Sequence, residues 1–343
     1  MSKKLFAFLL VIFLFFGVLL YLKRNTGGMM TIPQVVKNIV QPTPTNSLQV
    51  LYLREKSYPG SDLKIEETLD DGSNYKRYIA SYYSEGLKIY GLLTIPKGDM
   101  PSGGFPAIIF NHGYITPEAY TPTGNYVAYV DAFARSNYVV FKPDYRGNGK
   151  SDGEAGSAYF SSNYDIDDLN ATSSIKRNSN VNPNKIGVWG HSLGGHITLV
   201  DMVVTNDIKV AVIWGGVVGS YQDIIYNWQR RVTYQPNPED LRLRNALRQE
   251  LLNQYGTPTD NPDFWNSIDP TSNLNFVNIP VQIHVGAADE EVPVDFSESL
   301  YNRLKSLGKT VEFYSYPDAD HNISQGFNLA MKRSVAFFDK YLK

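Results

Sequence analysis

The chain has no cysteine, which excludes both a disulfide framework and a thiol nucleophile while leaving the compartment open. Only five histidines are present, and neither a C-x-x-C nor an H-x-x-x-H pair occurs, so the usual metal-holding spacings are missing and no cofactor is expected. Strongly basic blocks are absent beyond the flanks of the first hydrophobic segment, and a formal net charge of -2 gives no general attraction to nucleic acid. No internal repeat is visible. What remains is 343 residues with 43% hydrophobic and 19% charged content, enough for one large α/β domain once the amino terminus is set aside.

That amino terminus holds an uncharged apolar run, Leu5 to Leu22, bracketed by Lys3-Lys4 and Lys23-Arg24. As a helix it would span about 27 Å, close to the hydrocarbon core of about 30 Å, so residues 1–24 are expected to be a single-pass membrane anchor. A cleavable signal peptide is the rival, but no small-x-small site precedes Asn25. Charges on the two flanks nearly balance. The expectation is a cytoplasmic tail with the catalytic body extracytoplasmic. Residues 25–47, with paired glycines and a Pro-Thr-Pro-Thr run, read as a flexible linker.

From about Leu48 the pattern becomes short segments rich in Tyr, Ile and Thr (Lys64–Thr68, Lys76–Ser84, Leu87–Pro96), separated by Asp70-Asp71-Gly72 and Glu85-Gly86 turns. These are antiparallel strand signals. After Pro106, apolar strands at Ala107–Phe110, Tyr138–Phe141, Ile186–Trp189, Val210–Trp214, Val281–Val285 and Val311–Tyr316 alternate with helical stretches. Such alternation builds a mostly parallel sheet with helices on both faces. Between Gly215-Gly216 and Val281 lie more than sixty residues, among them Tyr221, Tyr226, Trp228, Tyr234, Tyr255, Phe264 and Trp265, with Arg230, Arg231, Arg242, Arg244 and Arg248. An insertion there sits over the carboxyl ends of the strands, so a helical cap over about 218–275 is expected to shape the substrate pocket. Its aromatics could equally be the cap's own small core.

Gly190-His191-Ser192-Leu193-Gly194 reads G-x-S-x-G between an apolar strand and an apolar helix, the pattern of a nucleophile elbow. A serine hydroxyl needs a base to activate it and a third group to orient the base. Of the five histidines, His191 and His196 flank the elbow and are read as pointing away from Ser192 or into the helix packing. His284 lies inside an apolar strand as a structural residue. His112 belongs to Asn111-His112-Gly113-Tyr114, a loop following an early strand. His321, in a polar loop after the last strand, is the candidate base. Asp289 falls between Ser192 and His321 at a strand end and is the candidate orienting acid, with Glu290, Glu291, Asp318 and Asp320 read as solvated, dipole-pairing or turn-forming residues. The backbone N–H groups of Leu193 and Tyr114 are the candidate oxyanion donors. A tight turn without that role is the alternative for Gly113-Tyr114.

Taken with Asp144-Tyr145-Arg146-Gly147-Asn148-Gly149-Lys150-Ser151, these motifs resemble those of α/β-hydrolases, and more narrowly the catalytic domain of the prolyl oligopeptidase family of serine peptidases. The resemblance runs from about Tyr75 to Lys343. It implies an α/β-hydrolase catalytic domain over 48–343 and cleavage of peptide bonds through an acyl-enzyme, with a carboxylesterase using the same residues as the alternative. Residues 25–74 are too short for even a few blades of the β-propeller that gates large members. The paired-glutamate motif of the aminopeptidase relatives is not recognisable either. The partner expected is therefore a small peptide or ester substrate, with the cap defining its pocket. A binding protein on the same scaffold is disfavoured, because all three triad positions are filled.

Overall fold

The computed structural model describes residues 46–156, 159–228 and 237–343. The anchor expected over 1–24, most of the linker expected over 25–47, and Arg230, Arg231 and Tyr234 lie outside them. No helix among the described residues is long and apolar enough to cross a membrane. At the start of the described chain, the Asn46 side chain donates to the Tyr255 hydroxyl at 2.9 Å.

Among the described residues, nine strands form one sheet in the order β1-β2-β3-β5-β4-β6-β7-β8-β9. Its leading edge is antiparallel: β1 (Lys64–Leu69), β2 (Tyr75–Ser84) and β3 (Leu87–Pro96), with β3 pairing antiparallel to β5 (Val139–Pro143). Glu85 and Gly86 both adopt positive φ, the two-residue turn whose twist matches a β-hairpin. From β5 onward all pairings are parallel, through β4 (Phe105–Asn111), β6 (Val181–His191), β7 (Val210–Trp214), β8 (Val281–Gly286) and β9 (Val311–Tyr316). Every residue of β4, β5, β7 and β8 is buried, which is why these strands are mostly apolar; the exceptions Asn111, Lys142, Gln282 and His284 are buried as well.

Alternate strand residues feed two cores. Ala107 and Ile109 face the larger one, with α3 (Asn163–Ile175), α4 (Leu193–Val204) and α7 (Val294–Ser306). Ile108 and Phe110 face the other, with α2 (Val127–Arg135) and α8 (Phe327–Leu342). A short helix, α1 (Val50–Glu55), packs into the larger core.

The described part of the segment between β7 and β8 is largely helical, with α5 (Pro238–Tyr255), α6 (Pro262–Ile268) and a 3-10 turn at Pro270–Phe276. Asn237 and Asn261 cap the two helices by accepting from Glu239 N and Phe264 N, each ahead of a proline in the first turn. Its aromatics do not form a separate core: Tyr221 and Trp265 belong to the larger core and Tyr255 and Phe264 pack against it, with Tyr255 stacking on Phe264 at 3.7 Å and Trp265 meeting both Phe264 and Tyr221. Trp228 is different and lines a cavity beside α5.

Candidate active site

Ser192 sits at the junction of β6 and α4 with φ 57° and ψ -119°, a strained conformation for a residue carrying a Cβ. The turn closes only because its neighbours are glycines. A Cβ on Gly194 would lie 1.9 Å from the Asn111 carbonyl oxygen, and one on Gly190 would lie 2.2 Å from that of Gly194. The Ser192 N–H donates to the Trp214 carbonyl (3.1 Å), tying the elbow to the end of β7. Leu193 is the first residue of α4, where an amide N–H has no acceptor within the helix.

His321 and Asp289 are brought together from two loops. His321 Nδ1–H donates to Asp289 Oδ2 at 2.8 Å, and this pairing leaves the Nε2 lone pair available. The Asp289 side chain is fully buried and its other oxygen accepts from the N–H groups of Glu291 (2.8 Å) and Val292 (2.9 Å). Gly215, directly after β7, joins this pair to the elbow: a Cβ there would lie 3.2 Å from His321 Nδ1 and 3.4 Å from Asp289 Oδ2. Glu290 is exposed, and Asp320 accepts from Ser324 N within its own turn.

The loop after β4 approaches the serine from the other side. A Cβ on Gly113 would lie 3.1 Å from Ser192 Cβ, so the Gly113-Tyr114 peptide adjoins the nucleophile position. The Tyr114 side chain turns toward the cap, where its hydroxyl donates to an Asp240 carboxylate oxygen on α5. His112 is sandwiched between Tyr120 (4.7 Å) and Tyr145 (4.5 Å), and burial pushes it down to about 3, leaving it neutral. Its Nδ1–H donates to the Gly113 carbonyl at 2.7 Å.

Two residues outside the expected constellation connect its parts. The Gly113 N–H donates to the Tyr126 hydroxyl (2.8 Å), which donates to His191 Nδ1 (2.8 Å); His191 Nε2–H in turn donates to the His321 carbonyl (3.1 Å). His191 therefore bridges Tyr126 and the His321 backbone. Burial, and then the charge of the neighbouring His321, hold it down at about 3, so it stays neutral. Tyr126 holds φ 60° at the start of α2, a left-handed conformation for an aromatic residue that places its hydroxyl between the two loops. His196 and His284 have the structural roles read for them. His196 packs against Tyr159, and His284 bonds to Gln282 and Tyr316.

The Asp144–Ser151 stretch is scaffolding for this site. Arg146 grips Asp167 on α3 through Nε (2.9 Å) and a terminal nitrogen (2.7 Å), and reaches Glu85 at 3.1 Å. Tyr145, at φ 61°, donates to the Asn111 side chain at 3.3 Å beneath the loop that carries Gly113.

This strand order and this Ser-Asp-His arrangement define a serine hydrolase of the α/β-hydrolase fold. The prolyl oligopeptidase family matches residues 126–343, more than half of the chain, and the chain belongs to that family. It is 27% identical over 245 residues to the "Uncharacterized peptidase YtmA" of Bacillus subtilis, covering 71% of this chain and 85% of that protein. Among solved structures it is similar to the Pyrococcus horikoshii acylaminoacyl peptidase (TM-score 0.63, 22% identity, 79% of this chain and 43% of that one). It is also similar to acetyl xylan esterase 1 from Thermoanaerobacterium (TM-score 0.62, 17% identity, 85% of this chain and 90% of that one).

Proposed function

We propose that this chain is a membrane-tethered serine peptidase that cleaves short peptides by way of an acyl-enzyme. Ser192 attacks the scissile carbonyl, His321 Nε2 takes its proton and returns it to the leaving amine, and Asp289 holds the imidazole in the required tautomer. The amides of Leu193 and Tyr114 receive the developing oxyanion, with the amino end of α4 adding its positive dipole. Water then repeats the sequence on the acyl-enzyme. The observation that carries this reading is the 2.8 Å His321–Asp289 bond beside the strained Ser192 elbow, in a chain of the prolyl oligopeptidase family. Tethering rests on the Leu5 to Leu22 run and its basic flanks, and the extracytoplasmic placement of the body on the same segment.

The second reading is a carboxylesterase. It is favoured by one observation, the likeness to an acetyl xylan esterase of which 90% is covered. A fluorophosphonate probe should label the full chain in detergent and fail to label Ser192→Ala. Paired p-nitrophenyl esters and peptide amides then separate the readings: turnover of esters with none of any amide selects the esterase, since an ester leaving group needs no protonation of comparable strength.

A further inference from the structure

Asp240, Arg244 and Arg248 are spaced four apart on α5 and so share one face of the helix. Asp240 binds the Tyr114 hydroxyl, so this face is turned toward the active-site loops. Beyond it, Arg244 and Arg248 line a cavity of about 110 Å³ whose other walls include Tyr159, Phe160, Ile224 and Trp228. Two of its walls contact residues that follow the triad members in the chain. Trp228 Nε1–H donates to the Glu291 carbonyl at 2.8 Å, two residues after Asp289, and the Tyr159 ring meets His196, one helical turn after Ser192, at 5.2 Å.

Among the described residues the lining carries two guanidinium groups and no carboxylate, with the Asp240 carboxylate one turn before Arg244 on the same helix face. Nε of Arg248 is buried without an acceptor among the described residues. The Arg248 side chain as a whole is only half-buried, so its guanidinium keeps access to a ligand, and a planar guanidinium matches a carboxylate with two parallel hydrogen bonds. Aromatic walls strengthen such a pair by keeping water away and offer apolar surface to the methylenes beside the anion.

We propose that this cavity is a substrate subsite for a carboxylate, bound by Arg248 with Arg244 adding positive charge. The inference rests on the peptidase reading and names its substrate class: peptides carrying either an acidic side chain next to the scissile bond or a free terminal carboxylate close to it. Binding to Ser192→Ala, which requires no turnover, tests it independently of the chemistry. Full-chain Ser192→Ala in detergent is titrated calorimetrically with N-acetyl-glutamate amide against N-acetyl-glutamine amide, and with acetyl-Ala-Ala against its terminal amide. At least tenfold tighter binding of the charged member is expected in one pair, the first marking a side chain and the second a chain terminus. Adding Arg248→Met should bring that ratio to within about twofold, and Arg248→Lys should keep part of it. Equal affinities within both pairs, or a preference that survives Arg248→Met, would overturn the inference. Loss of ester and amide turnover by the wild-type chain would instead overturn the peptidase reading.

Discussion

Replacing Tyr126 with phenylalanine removes one oxygen atom and leaves the ring's contacts with Phe110 (5.5 Å) and Tyr129 (5.3 Å) in place. The left-handed backbone at this position is equally strained for either residue, so the substitution isolates the hydroxyl. That hydroxyl accepts from Gly113 N–H and donates to His191 Nδ1, both at 2.8 Å, and Gly113 and His191 are both buried. Each group stranded without a partner costs about 1–3 kcal/mol, so the variant should lose about 2–6 kcal/mol of stability or relax the two loops to recover part of it. Relaxation moves the Gly113-Tyr114 peptide relative to Ser192, and the loss of about 1.4 kcal/mol of transition-state stabilisation is tenfold in rate. We therefore expect kcat on p-nitrophenyl acetate to fall by about tenfold or more with KM changed by less than about threefold, alongside a lower denaturation midpoint. A kcat within twofold of wild type, accompanied by the full loss of stability, would refute a positioning role and leave Tyr126 as a structural residue.

Asp289→Asn should preserve the fold but reverse the hydrogen-bond polarity at His321, lowering kcat by about 10³–10⁴-fold; full turnover in this variant, with Glu290→Gln inactive, would move the acid role to Glu290. Arg146→Met should cost about 3–5 kcal/mol in denaturant unfolding, because it leaves the buried Asp167 carboxylate without its bidentate partner. Asp269, raised by burial to about 6, is protonated in the native state at pH values where the unfolded chain has already ionised. Its stabilising contribution is intact below the ordinary carboxylate pKa of about 3.8 and is lost as pH rises through about 6. Asp269→Asn, which keeps an oxygen to accept from Thr271 N, should accordingly gain on wild type between pH 4 and 7 by up to about 3 kcal/mol in urea unfolding; a pH-independent difference would contradict this. Neutral, buried His112, His191 and His284, each held down at about 3, work in the opposite sense, removing stability as pH falls from about 6.5 toward 3.

Local sequence signals determined a large part of this protein. Strands buried on both faces appear as mostly apolar runs, the hairpin declares itself through Glu85-Gly86, and the elbow requires glycines where backbones approach within van der Waals distance. Chain order then singled out Asp289 and His321, because the fold delivers successive strand ends to one edge of the sheet. Tertiary structure alone decided the rest. Tyr126 and His191 are separated by 65 positions, and their bond depends on a left-handed residue at the start of α2 that no periodicity announces. The bond from His191 to the His321 carbonyl spans 130 positions and is equally silent in the sequence. The division of the cap's aromatics between the larger core at Trp265 and a cavity wall at Trp228, which Arg248 also lines, likewise follows from how the packing falls. Hydrogen bonds and cavities between remote segments have no repeating pattern in the chain; they exist only once packing has brought the partners within about 3 Å of each other.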